Sequence, residues 1–140
     1  MGVGMPETVL LDEFGYLVWS AFDHYPYHVG SSVMNKTWRD VDVRLILEDE
    51  EYERMELGDP KRPQENKKWV ALTLAFSALG KAMTGLPIDF QIQQQTDANT
   101  TYSQKDGCIR SALGCVARIR QGEVKNASMS LSGKEGGTTT

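Results

Sequence analysis

The sequence predicts a small mixed α/β domain: one sheet with helices packed on one side, the arrangement also called α+β. Three observations carry that expectation. Two stretches, 6–22 and 67–83, repeat apolar residues at helical spacing. Two others, 40–47 and 88–93, alternate apolar and polar residues as half-buried strands do. These patterns interleave along 140 residues, a length that suits one domain with a modest core.

The first element is a helix from Pro6 to Phe22. Proline suits a first helical turn, and Glu7 places negative charge at the positive helix end. Leu10, Phe14, Leu17, Val18 and Ala21 form its apolar stripe, and Tyr25-Pro26 predicts its end. Tyr27–Val29 reads as a short strand running into Gly30, and Ser31–Arg39 as a polar turn or hairpin connection. Asp40–Leu47 is the clearest strand. Val41, Val43 and Leu45 point to one face, Asp40, Asp42 and Arg44 to the other.

Glu48–Asn66 is charged and interrupted by Gly58, Pro60 and Pro63, which predicts a loop with a helical turn near Glu50–Leu57. A second long helix follows over Lys67–Met83, with Asn66 as its cap, Gly85 as its stop and a broad apolar face that includes Leu74. Ile88–Gln93 is the next strand, with Asp89, Gln91 and Gln93 opposite Ile88, Phe90 and Ile92. A polar turn at Thr96–Asp106 leads to a third helix, Gly107–Ile119, with Ile109, Ala112, Leu113, Val116 and Ile119 as its stripe. Residues 1–120 thus make the domain, and the Gly-, Ser- and Thr-rich 121–140 a disordered polar tail.

The formal net charge of −4 means that bulk electrostatics do not draw the chain to nucleic acid. The start shows no signal-peptide pattern and no stretch is long enough to span a bilayer, so the expected setting is cytoplasmic. Cys108 and Cys115 then read as core thiols rather than a disulfide or ligands.

The chemistry lies in the carboxylates. Asp40 and Asp42 project from one strand face about 6–7 Å apart. Two carboxylates that close raise each other's pKa unless a cation intervenes. Magnesium is bound through one or two carboxylates plus substrate phosphates. Asp89, held on the polar face of another strand, brings a third carboxylate if the strands are neighbours. Solvated surface aspartates would show the same alternation, but aspartate is depleted in strands. Gly30-Ser31 adds a turn where backbone and hydroxyl can approach a phosphate.

Val29-Gly30-Ser31, then Asp40-Val41-Asp42-Val43, then Ile88-Asp89-Phe90 resemble the nucleotidyltransferase superfamily with the polymerase-beta-like fold. That pattern is an apolar residue with Gly-Gly or Gly-Ser, a spacer, Asp-apolar-Asp-apolar, and a later carboxylate between apolar residues. The size resembles the minimal members. The spacer is short for that family and lacks its Arg-x-x-Gly.

The resemblance implies a metal-dependent nucleotidyltransferase that moves a nucleoside monophosphate from an NTP to a hydroxyl and releases pyrophosphate. Asp40, Asp42 and Asp89 would be both catalytic and metal-binding, holding two Mg²⁺ (or Mn²⁺) ions. Gly30, Ser31 and Ser32 would hold the nucleotide, ATP or another NTP. The acceptor would be an RNA end, a protein hydroxyl or a small molecule. Small members of the superfamily often work beside a helical partner protein, and no membrane is involved. The competing reading is a non-catalytic, nucleotide-binding or antitoxin-like interaction protein with the same fold. Around the carboxylates, Arg44 reads first as a neutralising cation, and Gln91 and Gln93 lie within reach of a ribose or base.

Overall fold

The computed structural model describes residues 6–30, 40–101 and 110–122. In chain order it forms α1 (Glu7–Phe22), β1 (Tyr27–Val29), β2 (Val41–Leu47), α2 (Asp49–Arg54), a 3-10 turn (Pro63–Glu65), α3 (Lys67–Thr84), β3 (Ile88–Gln94), α4 (Gln95–Thr101), β4 (Arg110–Ala112) and a helix over 115–122, here α5. The four strands make one open mixed sheet in the order β3-β2-β1-β4. β2 and β3 run parallel, with α2 and α3 in the crossover between them, whereas β1 is antiparallel to both β2 and β4. The mixed α/β class expected from the sequence is the class observed.

Strict alternation in β2 and β3 decides what each face does. Val41, Val43, Leu45 and Leu47 of β2, with Ile88, Phe90 and Ile92 of β3, are buried. They meet Leu11, Phe14 and Val18 of α1 in a core that also takes in Phe76 of α3. Phe90 sits at its centre, edge-on to Phe14 at 6.2 Å between centroids and 5.2 Å from Phe76. α1 and α3 approach closely because Gly80 lacks a side chain: a Cβ there would press on Ile88 and Phe14 at 3.0–3.1 Å. The intervening residues Asp42, Arg44, Asp89, Gln91 and Gln93 are half-exposed on the opposite face.

The caps explain the helix limits. Asn66 Oδ1 accepts the Trp69 N–H at 2.8 Å at the start of α3, and Gly85 at φ 77° ends it, both as the sequence predicts. α1 ends at Phe22 as expected; its last turn is closed by Asp23, left-handed at φ 64°, whose N–H donates to the Trp19 carbonyl. Its buried face is Leu11, Phe14, Gly15 and Val18, so Leu10 and Leu17 of the expected stripe lie toward solvent. α3 is also less covered than its composition suggests, with Leu74 65% exposed.

Two expectations are overturned. Thr96–Thr101, the first part of the expected polar turn, belongs to the helix α4 (Gln95–Thr101). Its start is tied to α2 by Asp49, whose carboxylate accepts the Thr96 N–H at 3.0 Å. Within the single helix expected over 107–119, the described residues 110–119 form β4, a turn and the first part of α5. Gly114, at φ 104°, breaks the run, and pairing with β1 extends Arg110–Ala112. Val116 and Ile119 are consequently 60% and 61% exposed. Residues 121 and 122 continue α5; the rest of the expected tail, Cys108 and the Ser31–Arg39 connection lie outside the described residues.

Candidate functional site

The site grows from the parallel register of β2 and β3. Val41 pairs with Ile88, so Asp42 stands directly beside Asp89. Because side chains alternate, a pairing that buries Val41, Val43, Ile88 and Phe90 necessarily leaves both aspartates together on the open face. Burial holds the Asp42 carboxyl above its ordinary range; the negative charges of Asp89 and Asp40 push the same way and Arg44 opposes them. Asp40 is exposed, one residue before β2, and acts on Asp42 through its charge.

Arg44 is the cation paired with these two carboxylates. Its Nη1 donates to the Asp89 carbonyl at 2.7 Å and to the Val43 carbonyl at 3.2 Å, which fixes the guanidinium across the β2–β3 step. From there Nη2 lies 3.7 Å from Asp42 Oδ1 and 3.5 Å from Asp89 Oδ2. Two carboxylates and one guanidinium leave the trio with a net negative charge. Gln91, next along β3, extends Nε2 toward Asp89 Oδ1 at 3.5 Å.

β1 supplies the other wall. Val29 pairs with Asp42, and the chain then turns at Gly30 with φ 84°. A Cβ at Gly30 would stand 2.5 Å from Asp42 Oδ2, so the backbone favours glycine here and any side chain would make the Asp42 carboxylate move. Gly30, Asp42 and Asp89 are thereby brought together, with Asp40 nearby in charge. Ser31 and Ser32 lie outside the described residues.

The donor set is all oxygen and partly exposed, which suits a hard divalent cation that retains waters and uses one or two protein carboxylates. Among the described residues no three His, Cys, Asp or Glu side chains form a ready-made metal cluster. None of the described helices is long and apolar enough to cross a membrane.

The residues around this site that sequence patterning leaves unassigned are Pro60, Pro63, Trp69 and Asp97, which lie with Gln91 around a cavity at the edge of β3. Only the crossover geometry assembles them, and no spacing in the sequence signals it. Comparison with protein-family models, with curated proteins and with solved structures gave no match.

Proposed function

We propose that this chain is a metal-dependent nucleotidyltransferase, transferring a nucleoside monophosphate from an NTP to a hydroxyl acceptor with release of pyrophosphate. The observation that carries the reading is the in-register pairing of Asp42 with Asp89 on the open sheet face, beside the positive-φ turn at Gly30. Asp42 and Asp89, with Asp40, would hold Mg²⁺ or Mn²⁺. A cation bound there would neutralise triphosphate charge and polarise the phosphorus under attack. The protein's own part is positional. Gly30 leaves backbone exposed for phosphate oxygens, Arg44 balances charge from the flank, and Asp89 can take the acceptor's proton.

One observation favours the second reading, a non-catalytic interaction protein: Arg44 already supplies the carboxylates with a counter-charge. Labelled NTPs with Mg²⁺ or Mn²⁺ and RNA, protein and small-molecule hydroxyl acceptors separate the two. The enzyme reading expects metal-dependent transfer of label. In Asp42→Asn and Asp89→Asn transfer should fall by more than the roughly 10–100-fold that follows loss of a ligand's outer partner. Stable binding of nucleotide or a partner protein with no transfer to any acceptor would favour the interaction protein.

A further inference from the structure

The carboxylate pair is not an isolated feature of β3. Asp89, Gln91 and Gln93 follow one another on the same face, advancing about 6.6 Å per step. Gln91 touches Asp89 on one side and lines a cavity of about 270 Å³ on the other. β3 is an edge strand, and two of its backbone groups have side-chain partners: the Phe90 N–H donates to Ser77 Oγ at 3.0 Å, and the Ile92 carbonyl accepts from Trp69 Nε1 at 2.8 Å. The cavity lies beside this part of the edge, where side chains already occupy those two backbone groups.

Its lining has a definite chemistry. Gln91 and Gln93 bring two amides, each both donor and acceptor. Pro60, Pro63, Trp69 and Ile92 bring the smaller, apolar part of the lining. The one cation, Lys61, is paired with the one anion, Asp97, at 3.3 Å. The cavity therefore carries no excess charge and offers little to a phosphate or carboxylate. It suits a neutral planar group edged with hydrogen-bond donors and acceptors. Its volume lies just below the roughly 300–1,000 Å³ of pockets that enclose drug-sized ligands, which points to a single heterocycle.

We propose that this cavity is the subsite for the nucleobase of the nucleotide whose phosphates meet the Asp42–Asp89 pair. The identification of the nucleotide rests on the reading above. The binding of a base to the cavity does not, and the two are tested apart. Gln91 links the two regions, contacting the phosphate-side carboxylate and the base-side cavity at once. Gln93 reads the edge of the base.

The test uses the full-length, isotope-labelled chain and three kinds of probe: the four nucleosides, free ribose, and Mg²⁺-tripolyphosphate. Nucleosides are expected to shift the Gln91 and Gln93 side-chain amide resonances and the Trp69 indole N–H, and ribose is not. Gln93→Ala should weaken nucleoside binding about fivefold, the loss of one ordinary hydrogen bond, while leaving the spectrum of the fold intact. Nucleosides that move none of these resonances, or that bind Gln93→Ala as well as the parent, overturn the subsite. The Mg²⁺-tripolyphosphate arm reads the resonances of Asp42, Arg44 and Asp89. Silence there together with nucleoside shifts at the cavity overturns the triphosphate reading and keeps the base subsite. Tripolyphosphate binding with no nucleoside response does the reverse.

Discussion

Gly30 shows how much one residue controls. Its φ of 84° costs an L-residue about 1–2 kcal/mol, and its missing side chain leaves room for Asp42 Oδ2. Gly30→Ala should therefore lose stability by about that amount, seen as a lower denaturation midpoint. It should also weaken Mn²⁺ binding, measured by calorimetry, because the carboxylate must rotate away. Unchanged Mn²⁺ affinity would show that Asp42 is not a ligand. The aspartates themselves were legible in the sequence, since alternation alone puts Asp42 and Asp89 on polar faces. Their adjacency was not, because it depends on which strand neighbours which. Arg44 was legible as a neighbouring charge. Its anchoring on the Asp89 carbonyl depends on the same register.

Among the elements, α5 is held at its start by a residue distant in the chain. Asp12, in the middle of α1, accepts the Gly114 N–H at 2.7 Å through Oδ1 and the Ala117 N–H at 2.6 Å through Oδ2. It thus acts as a cap supplied from another helix. The approach is close: a Cβ on Gly15 would stand 2.5 Å from the Leu113 Cβ. Arg118 then stacks 4.0 Å over Trp19 and donates to Tyr25 Oη at 2.7 Å, and Arg120 pairs with Glu13. Asp12→Ala should cost about 1–2 kcal/mol, the range for losing a helix cap. Hydrogen exchange should localise the loss to the amides of 114–118; a loss spread evenly over the chain would count against the capping role. The apolar spacing of 107–119 reads as one helix from sequence. Only the pairing of β4 with β1 and this remote cap divide it into strand and helix.

At the scale of the whole molecule, His28 couples folding to pH. It is buried on β1 opposite Val43, and burial lowers its pKa from the ordinary 6.5. The folded state therefore resists a proton that the unfolded chain accepts. The stability contributed by neutral His28 is present above about pH 6.5 and is lost as pH falls from there through its lowered folded value. Urea denaturation from pH 7.5 to 5 should show falling stability in the parent and a shallower fall in His28→Gln. Equal slopes would remove His28 as the cause. No spacing marks His28 as buried in advance, because a three-residue strand is too short to show alternation.

What the sequence by itself determined is the class of fold, the two long helices with the cap and stop of α3, and the polar faces of β2 and β3. Each follows from local periodicity and backbone preference, which act over a few residues. The tertiary structure alone decided that β2 and β3 lie side by side and parallel, that Asp42 meets Asp89 across them, and that Gln91, Gln93, Trp69 and the Pro60–Pro63 segment enclose a cavity. It also decided that 107–119 is not one helix. These depend on contacts between residues far apart in the chain, where core burial selects one arrangement among several that local patterning permits equally.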